Sequence, residues 1–325
     1  MKQAQVSADL LKSISNKGQW PMKMYDAPTA LAFVENARKY VEKEVNETVF
    51  PEILYPSLIP VDMSAPEWTK TIEYSSQESY GKADWINGNA DDIPLAGNSY
   101  NKEQSTVFMA GIGYGYGYEE LHASMAYGVN LPNADAIAAR QAYEQFVDKV
   151  AFIGDASKGK TGLLNAAGVA IDAAVAKFAA ANESQILQMF NKLIGGTATG
   201  TAYRFVSDIV LLPFDQFTYL ASTPLTNKEG TLLDFVQKYN IYSATTGKPL
   251  TIRAFDRLKA GGVGGVDRAV AYSRNPTVVK LHIPMPHRFL PVFQTGALNF
   301  VVPGVFRLSG TEISNKAAVR YMDGV

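Results

Sequence analysis

The fold is decided by residues 69–118, in which two β-rich segments surround a long polar one. The sequence is TKTIEYSSQESY over 69–80, GKADWINGNADDIPLAGNSYNK over 81–102 and EQSTVFMAGIGYGYGY over 103–118. Frequent Thr, Ile, Tyr and Val, with partial alternation of apolar and polar residues, predict a strand on each side of the polar segment. We therefore predict a long β-hairpin whose tip is formed by residues 81–102.

The hairpin tip carries large apolar side chains that a solvated loop does not need. Structureless loops longer than ~12–15 residues are uncommon in compact domains and are usually functional or disordered. An isolated two-stranded hairpin is only marginally stable in water. We therefore expect the tip to dock onto another surface, with a neighbouring subunit as one option. The candidate interface residues are Trp85, Ile86, Asp91, Asp92, Ile93 and Leu95.

Outside the hairpin, predicted helices and strands are segregated rather than alternating. The helical period predicts helices within 26–45, over 133–153 closed by Gly154, over 183–194 ended by Gly195 and Gly196, and over 231–239. A buried strand is predicted over 204–213, and further strands in LTIRAF, RAVAYSR, TVVKLHI, LNFVV and TEISNKAAVRYM from residue 250 onward. This order favours an α+β class over a doubly wound α/β sheet.

Composition excludes several classes of function. The chain has 325 residues, of which 47% are apolar and 19% charged, so it is a globular sequence with room for about two domains. The absence of cysteine excludes disulfide scaffolds, thiol catalysis and cysteine-ligated metal sites. A net charge of -1 argues against a dedicated nucleic-acid binder. We predict neither a signal peptide nor a membrane-spanning segment.

Charge is unevenly distributed along the chain. Residues 61–105 hold three lysines and eight acidic residues, whereas residues 251–325 hold ten basic and four acidic residues. One interpretation is two solvated faces. The other is that the acidic hairpin lies across the basic C-terminal region of another copy, because complementary charge guides association.

Residues 154–161 (GDASKGKT) fit the phosphate-binding pattern G-x-x-x-x-G-K-[ST]. In a nucleotide hydrolase Lys160 would hold phosphates and Thr161 would bind magnesium. Such a loop follows a buried strand and opens a helix, whereas here an amphipathic helix precedes Gly154 and no clear helix starts at Thr161. A helix end followed by a loop is therefore favoured, and nucleotide hydrolysis remains an alternative.

The remaining motifs have plain structural interpretations. The alternation over 111–118 predicts a strand with tyrosines on one face and glycines on the other, where another backbone could approach closely. The glycines over 261–265 predict a flexible loop. The three histidines, His122, His282 and His287, have no spacing typical of a metal site or a catalytic triad. We assign no catalytic, cofactor-binding or metal-binding residue.

The order of these segments resembles the major capsid proteins of tailed phages, which share the Hong Kong 97-type fold with encapsulins. The resemblance covers roughly residues 50–325. It rests on Ile59-Pro60-Val61, on ADDIP (90–94) in the tip, on GYGYGYEEL (113–121), on the helix 133–153, on Gly154-Asp155 with GLLN (162–165), and on the closing AAVRYMDGV (317–325).

The resemblance implies a division of the chain. Residues 1–60 would be an N-terminal arm and residues 61–118 an extended β-hairpin loop. Residues 119–165 would form a peripheral domain with a long spine helix, and residues 166–267 mainly an axial domain. Residues 268–325 would supply strands that complete the sheets of both domains.

It also implies a structural function without enzymatic activity or cofactor. The chain would self-assemble into pentamers and hexamers of an icosahedral head that encloses double-stranded DNA, with assembly in the host cytoplasm. Its partners would be copies of itself, a portal, a separate scaffolding protein and a decoration protein, with only non-specific proximity to DNA and no contact with a membrane. Some members form Lys–Asn crosslinks, but no residue of this hairpin is assigned to one. An encapsulin-like nanocompartment is the alternative within the same fold.

Overall fold

The computed structural model describes residues 52–85, 93–120, 122, 131–226 and 229–325. The helix predicted within 26–45 and most of the predicted arm lie outside these residues. The helices are α1 (Tyr55–Leu58), α2 (Leu131–Phe152), α3 (Glu183–Gly200), α4 (Phe214–Ser222), α5 (Leu232–Tyr239) and α6 (Ile241–Thr246).

The strands of the described residues form four sheets and two ribbons. The central sheet has the order β10 (Thr251–Ala254), β9 (Ile209–Leu212), β11 (Arg268–Tyr272), β18 (Val319–Asp323), β8 (Ala170–Ala173). Three smaller sheets are β1 (Val61–Asp62), β12 (Val279–His282), β17 (Gly310–Ile313); β13 (Met285–Phe289), β16 (Gly304–Leu308), β4 (Phe108–Gly111); and β14 (Phe293–Gln294), β15 (Asn299–Val302), β5 (Tyr114–Gly117). The ribbons are β2 (Thr71–Tyr80) with β3 (Gly97–Thr106), and β6 (Gly154–Asp155) with β7 (Lys160–Thr161).

The inner strands β9 and β11 of the central sheet are buried on both faces, which explains their continuous apolar sequence. In β9, Ile209 and Leu211 belong to one hydrophobic core, whereas Val210 and Leu212 belong to the other. Strand β11 divides its side chains between the two cores in the same way. The buried strand predicted over 204–213 is thus confirmed for residues 209–212 only.

Helix α2 is the long helix predicted from the period of Tyr143, Val147 and Val150, and all three side chains are buried. The helix ends at Phe152, and Gly154 follows with φ of 82°, a conformation that favours glycine. Asp148 on its buried side accepts hydrogen bonds from the backbone N–H groups of Leu54 and Tyr55 at 3.1 and 3.0 Å. This carboxylate therefore attaches the segment around α1 to the long helix.

Helix α3 corrects the prediction that Gly195 and Gly196 end a helix. It begins with a capping box between Asn182 and Gln185, as the asparagine cap predicts, and continues through both glycines to Gly200. Gly196 is needed for packing, because a Cβ built there would lie 2.4 Å from Nη1 of Arg320. The glycine makes room for a neighbouring side chain and does not terminate the helix.

Candidate subunit interface

The predicted hairpin is present as a regular two-stranded ribbon. Strands β2 and β3 pair antiparallel over ten residues, from Thr71 opposite Thr106 to Tyr80 opposite Gly97. At ~3.3 Å per residue the ribbon extends ~30 Å. The second strand begins at Gly97 rather than at residue 103, so the tip comprises residues 81–96. Residues 97–102 (GNSYNK) lack β-branched side chains and become a strand through pairing with β2.

Side chains near the base of the ribbon attach it to the rest of the subunit. Ser105 Oγ lies 2.7 Å from Ser309 Oγ and accepts a hydrogen bond from Lys160 Nζ at 2.8 Å. Glu103 lies 3.3 Å from Lys316 Nζ and accepts a hydrogen bond from the Tyr74 hydroxyl. Burial and this acceptor raise the pKa of Tyr74 above its usual range.

The described part of the tip leaves its apolar side chains in solvent. Trp85 is 100% exposed, Leu95 84% and Ile93 61%. The predicted interface residues Ile86, Asp91 and Asp92 lie outside the described residues. Single apolar residues are ordinary on a protein surface. Three on one tip form an apolar surface, and burying it against a partner lowers the free energy.

The alternating tyrosine–glycine segment forms β5, as predicted. Tyr116 stacks on Phe300 with ring centres 5.8 Å apart, and Tyr114 packs edge-on against Phe289 at 5.3 Å. The expected close backbone approach occurs beside this strand, since a Cβ at Gly113 would lie 2.3 Å from the carbonyl oxygen of Val302. This sheet carries a second exposed apolar group, which consists of Tyr118, Val292, Phe293 and Leu298.

Most basic residues of the C-terminal region are neutralised within the subunit. Seven of the ten basic residues in 251–325 lie within 4 Å of a carboxylate of the same chain, in the pairs Arg257–Asp148, Lys259–Asp215, Arg268–Asp323, Lys280–Glu312, Arg288–Glu67, Lys316–Glu103 and Arg320–Asp172. Two of these acids, Glu67 and Glu103, belong to the acidic region 61–105. The charge argument for docking a second hairpin on this region is therefore weaker than the sequence indicated.

The phosphate-loop motif adopts a different structure from a phosphate-binding loop. Gly154 and Asp155 pair with Thr161 and Lys160 as a small ribbon closed by a single 3-10 turn. No helix opens at Thr161, because the next α-helix begins at Glu183. Lys160 extends toward Ser105. These contacts favour the interpretation that the motif is the turn after a long helix.

Two of the three histidines, for which no catalytic or metal-binding role is predicted, are buried. His282 lies between two carboxylates, with Nδ1 3.1 Å from Asp62 Oδ2 and Nε2 hydrogen-bonded to Glu312. His287 Nε2 donates a hydrogen bond to the carbonyl oxygen of Ile112 at 3.0 Å. Within the described residues no group of three His, Cys, Asp or Glu side chains could hold a metal ion, and no helix could cross a membrane.

Comparison with known families identifies the chain. A family model described as major capsid protein matches residues 81–325, which is most of the sequence. The chain therefore belongs to the major capsid protein family. Proteins of this family are structural subunits of virion shells that assemble with copies of themselves. A comparison with curated proteins gave no match.

Solved capsid structures share the fold at low sequence identity. The capsid of Myoviridae phage XM1 matches with a TM-score of 0.74 and 19% identity, covering 95% of this chain and 100% of that chain. Mycobacterium phage Bobi matches with a TM-score of 0.59 and 14% identity, covering 92% and 99%. The capsid of an empty GTA particle matches with a TM-score of 0.61 and 12% identity, again covering 92% and 99%. The α+β, Hong Kong 97-type fold and the resemblance to tailed-phage capsid proteins are confirmed.

Proposed function

We propose that this chain forms the icosahedral head of a phage that encloses double-stranded DNA, as rings of five and six copies. Such rings close by repeating one heterologous contact around an axis. Membership of the major capsid protein family supports the proposal. The near-zero net charge also suits a shell that encloses DNA without binding it tightly.

The exposed side chains of the hairpin tip are the structural observation that supports this proposal most directly. The tip lies at the end of a ten-residue ribbon that described side chains attach to the subunit near its base. Its exposed Trp85, Ile93 and Leu95 are of the type that dominates protein interfaces when buried. In the assembled shell these three side chains would be buried against an adjacent copy. Ile86, Asp91 and Asp92 of the same tip would contribute to that contact.

The proposed division of the chain follows the resemblance. The arm would be residues 1–60, the extended loop 61–118, the peripheral domain 119–165 and the mainly axial domain 166–267, with strands from 268–325 completing both. A portal, a separate scaffolding protein and a decoration protein would be its partners during and after assembly in the host cytoplasm. We propose no enzymatic activity.

The test compares a double variant of the hairpin tip with a control variant that loses an exposed aromatic side chain elsewhere on the subunit. Trp85→Ala and Ile93→Ala should leave the subunit folded, because both side chains are exposed, and should impair assembly. Tyr239→Ala removes another exposed aromatic side chain, 63% accessible, from helix α5 and serves as the control. Circular dichroism and thermal unfolding report the fold, and negative-stain electron microscopy reports assembly. Normal shells from Trp85→Ala/Ile93→Ala would contradict the role of the tip.

The contents of the shell separate the phage head from a nanocompartment. Particles purified from infected or expressing cells should contain DNA and a portal rather than a protein cargo.

A second experiment tests the nucleotide hydrolase alternative. Purified subunit should fail to bind ATP in isothermal titration calorimetry. ATP binding that is lost in Lys160→Ala would favour the nucleotide hydrolase alternative.

A further inference from the structure

A small cavity opens between strand β4, helix α2, the β6–β7 turn and the end of strand β16. Its volume is about 70 Å³, and its apolar walls come from Phe108, Phe146, Val150 and Leu308. Met109 and Phe146, which also line it, are exposed.

Two lysines, Lys158 and Lys160, line this cavity. Lys160 Nζ lies 5.7 Å from the centre of the Phe108 ring, and Lys158 Nζ lies 5.3 Å from it. Among the residues that the structure describes, no carboxylate oxygen lies within 4 Å of either ammonium group. The polar partner of Lys160 is the hydroxyl of Ser105. Burial lowers the pKa of Lys160.

The one acidic side chain that lines the cavity is engaged locally. Asp155 Oδ1 accepts hydrogen bonds from the backbone N–H and the hydroxyl of Ser157, at 2.9 and 2.7 Å. These two hydrogen bonds, and to a smaller extent the charges of Lys149 and Lys158, lower the pKa of Asp155. A partly buried ammonium group without a counter-charge is costly, and a carboxylate that enters beside it offsets that cost. The cavity therefore has the chemistry of a carboxylate-binding pocket.

We propose that this lysine pocket binds an acidic side chain from the hairpin tip of a second copy. The inference rests on the proposed function and names the surface that receives the tip. The tip provides Asp84 beside Trp85 and Asp91-Asp92 beside Ile93, so that each acid has an apolar neighbour. The carboxylate would pair with Lys158 and Lys160, and the apolar neighbour would cover the exposed Met109 and Phe146. In residues 251–325, by contrast, seven of the ten basic residues are already paired with a carboxylate of the same chain.

The absence of native cysteine permits a direct test by crosslinking. Lys158→Cys protein is mixed with Asp84→Cys protein, and separately with Asp92→Cys protein, assembled, and treated with a short bismaleimide crosslinker. The crosslinker is needed because a lysine–aspartate ion pair holds its two Cα atoms farther apart than the about 7 Å that a disulfide spans. We expect a crosslinked dimer in at least one mixture, mapped by mass spectrometry. Lys248→Cys, at another exposed lysine, is the control partner. No dimer above this control in assembled particles would overturn the pocket assignment.

A double-mutant cycle tests the charge itself. Lys158→Gln keeps the Lys160–Ser105 hydrogen bond, and thermal unfolding of the subunit checks that it folds normally. We expect Lys158→Gln to raise the concentration needed for assembly roughly threefold to tenfold, in the range of a rim or partly buried charge pair. The same variant should add little to Asp84→Asn/Asp91→Asn/Asp92→Asn, because the pair is already broken. Fully multiplicative effects would overturn the pairing.

These experiments distinguish failure of the proposed docking of the tip from failure of the pocket assignment alone. If Trp85→Ala/Ile93→Ala assembles normally, the docking role of the tip fails. If that variant blocks assembly while the lysine and aspartate variants show neither crosslinking nor coupling, the tip docks elsewhere and only the pocket assignment fails.

Discussion

The imidazole of His282 and the carboxylate of Glu312 form a buried hydrogen bond between adjacent strands β12 and β17. Glu312 also accepts a hydrogen bond from the Ser314 hydroxyl and lies 3.5 Å from Lys280 Nζ. On the other side, His282 faces Asp62 of β1. The two-residue parallel strand β1 thus contacts the body of the subunit through the Asp62 side chain as well as through its backbone pairing.

Glu312→Gln should destabilise the subunit by about 1.5–3 kcal/mol, the usual contribution of hydrogen bonds to a charged group. Urea unfolding of unassembled subunit gives the free energy. Glu103→Gln breaks the exposed pair with Lys316 and should cost at most about 1 kcal/mol. Equal losses in the two variants would contradict the assigned burial of the first pair.

The lowered pKa of Glu312 indicates how the free energy of unfolding depends on pH. Burial by itself would raise the pKa of Glu312, but hydrogen bonds from His282 and Ser314 and the charge of Lys280 hold it below its ordinary value of 4.5. A carboxyl whose pKa is lowered by folding contributes stability above its unfolded pKa and loses it as the pH falls through the folded value. The free-energy difference between wild type and Glu312→Gln should therefore shrink below about pH 4.5. A difference that stays constant from pH 7 to pH 3 would contradict this origin.

Two adjacent glycines of α3 should respond oppositely to alanine. Gly195→Ala should stabilise the subunit by up to about 1 kcal/mol, because nothing lies within 4 Å of the new Cβ and alanine is the better helix former. Gly196→Ala should destabilise it, because the new Cβ displaces Arg320, which Asp172 holds in an ion pair. Urea unfolding of both variants gives the comparison. A stabilising Gly196→Ala would show that Arg320 is free to move.

Removing the Asp148 carboxylate should loosen the segment around α1. Asp148→Ala leaves the backbone N–H groups of Leu54 and Tyr55 without this acceptor, and should cost about 2–4 kcal/mol. Asp148→Asn keeps one oxygen acceptor and should cost less. Hydrogen exchange at Leu54 and Tyr55 locates the effect. Unchanged exchange in Asp148→Ala would contradict this attachment.

Local patterns predicted the elements that carry a clear period. The hairpin, helix α2 and the strand β11 were found because period two or period 3.6 is visible within one segment. Strand β13 was missed because its sequence MPHRF contains proline and does not alternate. Helix α4 was not predicted; it directly follows the buried strand β9, and Pro213 is the residue before its first turn.

Features that depend on distant residues could not be predicted in this way. Gly196 looked like a helix end because Arg320, which requires the small residue, lies far away in sequence. The lysine pocket likewise joins Phe108, Phe146, Lys160 and Ser309 from separate segments. The motif over 154–161 drew attention to Lys160 as a phosphate ligand, but its significance in the structure comes from the apolar walls and the missing acidic partner. The tip residues were predicted because the long apolar-studded loop is itself a local signal.

The most direct test of the central claim is the mass and shape of the purified chain, by light scattering and negative-stain electron microscopy over a range of concentrations. The account predicts rings of five or six copies or closed shells, which form without nucleotide and are lost in Trp85→Ala/Ile93→Ala. A wild-type protein that stays monomeric at every concentration and ionic strength, with or without ATP, and also when it is co-expressed with its scaffolding protein, would contradict the account.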